Sequence, residues 1–187
     1  MAVYTKINKK DISYINKKFE VDKIISFEGI RQGIENTNYL LRSKNKKFIL
    51  TIFEKRVSKK EIPFFMKLMD QLNTYKINCP KPIKNKNGNY LINIKKKTAC
   101  IVSFLNGKDK KSLNPKNCYE VGKTIAKMHL STSKIKLYRK NSMGVNNLNS
   151  LIKLLTKISG AEAPDEIPIT FEFSIKSNGI LLCECIN

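Results

Sequence analysis

The chain has 187 residues, 41% of them apolar and 27% charged. That is ordinary globular usage, and a chain of this length hides roughly 70% of its unfolded surface on folding. Collagen-like, low-complexity and disulfide-stapled classes are excluded. The unusual figure is the charge: 36 basic against 15 acidic side chains, formally +21.

A dense basic surface attracts polyanions and gains from counterion release. The composition gives a plainer account, because 32 Lys, 20 Asn and 24 Ile all draw on AT-rich codons. Arginine occurs only as Arg31, Arg42, Arg56 and Arg139, whereas nucleic-acid readers rely on its bidentate fork. The excess reads as codon drift, and a nucleic-acid partner is not expected. Cys79, Cys100, Cys118, Cys183 and Cys185 show no C-x-x-C spacing, and His129 is the single histidine. No zinc site is predicted, and the thiols are expected to be reduced. The N-terminus lacks the apolar core of a signal peptide, and no window approaches the ~18 apolar residues of a membrane span. A cytoplasmic protein without a membrane partner is expected.

In chain order, Ile12, Ile15 and Phe19 recur at helical spacing and predict an amphipathic helix over 9–19. Three strands follow, at 24–27, 38–42 and 47–53, joined by the turn-rich segment 28–33 and the polar turn 44–46; they predict an antiparallel meander. Ser58 as N-cap, Glu61 three residues on and Pro63 in the first turns predict a helix with Ile62, Phe65, Met66, Leu68, Met69 and Leu72 on its apolar face. Cys79-Pro80-Lys81-Pro82 ends it, and Asn87-Gly88 predicts a hairpin joining Pro82-Ile83 to Tyr90-Leu91-Ile92. Residues 99–105 form the most apolar strand, ending at Asn106-Gly107. Helices are predicted over 115–131 and 147–158, then a linker at 161–166 and a hairpin around Ser177-Asn178-Gly179. Residues 141–187 hold three Lys and five acids, so residues 1–140 carry a net +23.

A turn of small residues between strands lets backbone N–H groups approach phosphate oxygens, although glycine serves ordinary hairpins equally well. Longer stretches are more specific. Met1–Thr5, Gly29–Leu41, Phe48–Val57, Cys79–Ile83 and Ile101–Gly107 closely resemble bacterial homoserine kinase of the aminoglycoside-phosphotransferase-like type, and the likeness runs in order from residue 1 to about 145. The resemblance implies an α+β, protein-kinase-like fold that uses ATP and Mg²⁺ to phosphorylate the hydroxyl of homoserine in threonine biosynthesis. It implies a nucleotide lobe over 1–105, the first helices of a second lobe over 106–158 and an unmatched tail over 159–187. Carried over by position, Gly29, Gly33, Asn36 and Asn38 belong to the loop over the phosphates, and Ser103, Phe104 and Leu105 to the hinge beside adenine. Glu61 falls where such folds keep the helix glutamate that anchors a phosphate-binding lysine, or is simply an acid favoured at a helix N-terminus. Thr51 stands in the slot of that lysine, which leaves the phosphate cation unassigned.

The family's H-x-D motif, followed four residues later by Asn, is absent: Leu130-Ser131 follow His129, and none of Asp11, Asp22, Asp70, Asp109 and Asp165 has that context. No catalytic residue or Mg²⁺ ligand is therefore assigned, and a shortened chain without turnover is expected. His129 is expected to pack at the end of its helix. A non-catalytic basic binding module is the competing reading. Choline and methylthioribose are alternative acceptors, against which the Gly33–Tyr39 and Ile101–Gly107 segments favour homoserine.

Overall fold

The computed structural model describes residues 3–54, 58–107, 110, 112–139 and 154, and the backbone of 171–175 and 181–185. Two compact units result, one covering Met1–Ile135 with Ile175–Ile180, the other Lys136–Ser174 with Leu181–Asn187. The expected helix at 147–158, apart from Leu154, and the linker at 161–166 lie outside the described residues.

Helix α1, Lys9–Lys18, starts at a reciprocal capping box: Asn8 Oδ1 accepts from the Lys10 and Asp11 amides, and the Asp11 carboxylate accepts from the Asn8 amide. Strands β1 (Ser26–Gly29), β2 (Thr37–Arg42) and β3 (Lys47–Ile52) form the expected meander. Helix α2, Ile62–Thr74, follows, then β4 (Leu91–Ile94) and β5 (Lys97–Ser103). All five strands form one antiparallel sheet in the order β1-β2-β3-β5-β4.

Period-2 alternation divides the sheet between two cores. Tyr39, Leu41, Phe48, Leu50, Ile52, Ala99 and Ile101 face α1 and bury its Ile12 and Ile15. Cys100 and Val102 face the other way and pack with Ile62 and Met66 of α2, flanked by Ile49, Phe53 and Leu91. One helix thus packs on each face, α1 on one and α2 on part of the other, and buries the apolar residues there.

Two local expectations are corrected. The N-cap of α2 is Glu61, not Ser58: the Ser58 carbonyl accepts from the Glu61 amide in the turn that precedes the helix. The Asn87-Gly88 turn exists, with Gly88 at φ +77, but it does not pair the predicted strands. Pro82 instead pairs with Val102 of β5, the Ile83 amide donates to the Ile101 carbonyl, and β4 turns into β5 through Lys95-Lys96. Both lysines have positive φ, +48 and +66, as a two-residue primed turn requires. The sequence signal pointed to Asn-Gly, the pair that relaxes such a turn, whereas the chain makes the turn with two lysines.

Helix α3, Pro115–Thr132, opens on a second capping box at Asn114, and Lys127 Nζ donates to the Lys76 carbonyl just beyond α2. Val121, Ile125 and Met128 are half-buried, whereas Leu130 is 73% exposed. His129 is exposed rather than packed. Strands β6 (Phe171–Ile175) and β7 (Leu181–Cys185) form the two-stranded sheet expected near the C-terminal end. No helix among the described residues is long and apolar enough to cross a membrane.

Candidate nucleotide site

Helix α2 covers only part of its sheet face. Among the described residues its apolar cluster draws on β3, β4 and β5 and on no side chain of β1 or β2. The half that α2 leaves free carries Glu28, Asn38, Leu40, Arg42 and Thr51, half-buried except for the exposed Glu28, and Ile49 stands at its border with the α2 cluster. Arg42 Nη2 donates to Glu28 Oε2 at 2.8 Å, so this arginine is already paired.

The 31–36 segment joins β1 to β2 at one end of this half-face. The ladder extends one step past β1, where the Ile30 amide donates to the Asn38 carbonyl at 2.9 Å. Beyond it Arg31 to Glu35 are exposed. Gly33 has φ +107 and open space around its α-carbon, so its backbone conformation rather than packing calls for glycine. Asn36 Oδ1 accepts from the Glu54 amide, and Asn38 Oδ1 accepts from the Thr51 hydroxyl at 2.8 Å. Each asparagine spends its acceptor on the fold, which leaves its NH₂ as the donor end. Thr51 therefore has a definite task in the lysine slot: it orients Asn38.

Gly29 is explained differently. It pairs with the core-facing Tyr39, and an added Cβ would meet Val3 Cγ2 at 2.9 Å. Its smallness serves the packing of the N-terminal segment on the face away from the open half. Glu61 stands at the N-cap of α2, half-buried, without capping it through its side chain.

The hinge segment lies at the opposite end of the sheet. Four steps along β2 separate the Asn38–Thr51 pair from the Arg42–Lys47 pair, roughly 13 Å along a strand. There the Ser103 amide donates to the Lys81 carbonyl and its hydroxyl accepts from the Lys81 amide, both at 2.9 Å. The Phe104 amide donates to the Lys47 carbonyl, and Lys47 Nζ stands 5.5 Å from the Phe104 ring centroid. Leu105 carries the first hinge amide with no hydrogen-bond partner among the described residues. The open half-face joins Gly33, Asn36 and Asn38 at one end to Ser103, Phe104 and Leu105 at the other. Gly29 belongs to the core side.

Sequence reasoning missed a polar cluster on that core side. Glu54 Oε1 accepts from the Thr5 hydroxyl at 2.7 Å and the Thr37 hydroxyl at 2.6 Å, while Oε2 is bonded to Lys97 Nζ. Burial pushes the Glu54 carboxyl up, but the bonds from Lys97, Thr37 and Thr5 outweigh it and hold the group below its usual range. The one available signal was a charged residue placed directly after an apolar strand. Burial raises the thiol of Cys100, on the α2 face, to about 12, which makes it unreactive. No group of three metal-ligating side chains occurs among the described residues, so they do not by themselves fit a Mg²⁺ ion.

The phosphotransferase enzyme family matches residues 26–154. Homoserine kinase of Parvibaculum lavamentivorans is 36% identical over 151 residues, covering 81% of this chain and 47% of its own. That of Rhizobium johnstonii is 33% identical over 176 residues, covering 92% and 55%. The chain thus spans about half the length of these curated relatives. Among solved structures, a spectinomycin phosphotransferase in complex with ADP and spectinomycin superimposes with a TM-score of 0.58 at 13% identity, covering 98% of this chain and 69% of its own. A microcompartment-associated aminopropanol kinase gives 0.57 at 14%, covering 81% and 55%. The expected α+β architecture is therefore the protein-kinase-like one of these enzymes, with the five-stranded sheet and α2 as its N-terminal part. From the match over 26–154, the chain belongs to the phosphotransferase enzyme family.

Proposed function

We propose that the chain is the nucleotide-holding part of a homoserine kinase, which transfers the γ-phosphoryl group of ATP to the hydroxyl of L-homoserine. Residues 1–105 are read as the nucleotide lobe, 106–158 as the start of the helical lobe and 159–187 as a further segment. The observation that carries the reading is the open half-face. It has amide donors at one end, at the other the Leu105 amide, which has no partner among the described residues, and roughly 13 Å of strand between them, a span that an extended nucleoside triphosphate bridges. The names of the curated relatives support homoserine as the acceptor.

On this reading the Leu105 amide meets an adenine acceptor, and Leu40 and Ile49 lie against the base. The Asn36 and Asn38 NH₂ groups and the backbone around Gly33 donate to the β- and γ-phosphate oxygens. Arg31, the cation of the loop, supplies the positive charge that Thr51 does not. A bound Mg²⁺ would neutralise charge on the phosphates. The Glu28 carboxylate is paired with Arg42, so the described residues supply no cluster to hold the ion. The acceptor hydroxyl must also lose its proton to a positioned base, and the 187 residues contain no H-x-D motif to provide one. The chain alone thus binds nucleotide without turnover. Titration with ATP, alongside a coupled assay for ADP release with and without L-homoserine, tests both halves. Saturable ATP binding without homoserine-dependent ADP release is expected. Absence of ATP binding overturns the nucleotide reading, and homoserine-dependent turnover overturns the claim that this chain lacks the base.

A further inference from the structure

Residues 3–7 make an unusual number of bonds to the two ends of the 31–36 loop. The Tyr4 and Thr5 amides both donate to Thr37 Oγ1, at 3.0 and 3.1 Å, where the loop enters β2. Val3 Cγ2 fills the space that a side chain at Gly29 would take, where β1 leaves for the loop. Tyr39 Oη donates to the Thr5 carbonyl at 3.0 Å and accepts from the Ile7 amide at 3.2 Å, which pins the segment to β2. The Thr5 and Thr37 hydroxyls converge on Glu54 Oε1, and the Glu54 amide in turn donates to Asn36 Oδ1. Finally, Tyr4 Oη reaches the loop itself and donates to the Ile34 carbonyl at 2.9 Å.

Tyr4 is 56% exposed, so little apolar burial holds its ring there. Its hydrogen bond falls on the residue next to Gly33, in a stretch whose other side chains from 31 to 35 are exposed. A loop of this kind samples many conformations unless its entry, exit and tip are each tied down. All three ties come from one segment.

We infer that Val3-Tyr4-Thr5 is a positioning strap: it fixes the 31–36 loop so that the Gly33 backbone and the Asn36 amide are ready for phosphate, with Tyr4 as the residue that holds the tip. The inference rests on the nucleotide reading above and adds to it the element that pre-organises the loop. Pre-organisation raises affinity by reducing the ordering cost of binding. Tyr4→Phe removes only the hydroxyl and leaves the ring and the buried threonines in place.

The test compares the full wild-type chain, Tyr4→Phe, and Tyr14→Phe on α1 as control. Amide hydrogen exchange over 31–36 without nucleotide, the Kd for ATP and the melting temperature are measured for each. Tyr4→Phe is expected to speed loop exchange and raise the ATP Kd, each about two-fold for one lost hydrogen bond, with the melting temperature lowered by no more than about 2 °C. The control is expected to match wild type. Unchanged loop exchange overturns the strap, as does faster exchange with an unchanged Kd. A wild type that binds no ATP overturns the nucleotide reading, while the exchange comparison still shows whether Tyr4 holds the loop.

Discussion

The Thr51 hydroxyl donates to Asn38 Oδ1 at 2.8 Å, across directly paired positions of β3 and β2 on the uncovered half of the sheet. Thr51, which the family resemblance sets where a lysine is expected, thus holds the asparagine's oxygen and leaves its NH₂ as the free end. Thr51→Val keeps the shape and frees Asn38 to rotate. An ATP affinity about three- to ten-fold weaker is expected in a calorimetric titration, with Thr51→Ser close to wild type.

Glu54 makes stability depend on pH. Its folded carboxyl lies below the ordinary value of 4.5, so the unfolded chain takes up the proton first as pH falls. The contribution is fully present above the unfolded value and is lost as pH drops through the folded one. Melting temperatures measured from pH 7 to pH 3 should therefore fall more steeply below about 4.5 in wild type than in Glu54→Gln, where no carboxyl is left to titrate. At pH 7 that variant is expected to cost about 2 kcal/mol, because its carboxylate is only 9% exposed and bonds to Lys97.

Gly29 and Val3 are coupled by contact. Gly29→Ala places a methyl 2.9 Å from Val3 Cγ2 and is expected to destabilise the chain by about 1–2 kcal/mol. Val3→Ala removes the obstructing methyls. Combined, the two changes should cost less than the sum of the separate effects, with a coupling on the order of 1 kcal/mol in a urea double-mutant cycle.

The Lys95-Lys96 turn holds two non-glycine residues at φ +48 and +66. Replacement of the pair by Asn-Gly should stabilise the chain by about 1 kcal/mol or more in urea denaturation. Loss of stability would mean that the Lys95–Asp11 ion pair, 3.8 Å long, outweighs the backbone strain.

The five-stranded sheet was legible only in part. The meander of β1 to β3 could be read because its turns are short and its alternation regular, so local pairing follows chain order. The partner of β4 could not, because Asn87-Gly88 and Lys95-Lys96 compete as turns. The deciding contact is that of Pro82 and Ile83 with β5, some twenty residues away. The site was similarly divided. Resemblance singled out Gly33, Asn36 and Asn38 and, separately, Ser103 to Leu105, and the sheet sets the two groups at opposite ends of one half-face. The orientation of each asparagine depends on Glu54 and Thr51, more than ten residues further along the chain.

Composition settled less than its most conspicuous figure suggested. The sequence alone determined most element types, the family and the absence of an H-x-D motif, because these reside in local spacing and in which residues are present. Tertiary structure alone decided that Gly29 serves the core and not the opposite half-face, that Thr51 orients Asn38, and that Tyr4 reaches the loop tip across thirty residues. Those assignments depend on which side of a strand each residue faces and on what the fold brings opposite it. Neither can be read from a linear chain, because such contacts form only once loop closure has joined distant segments.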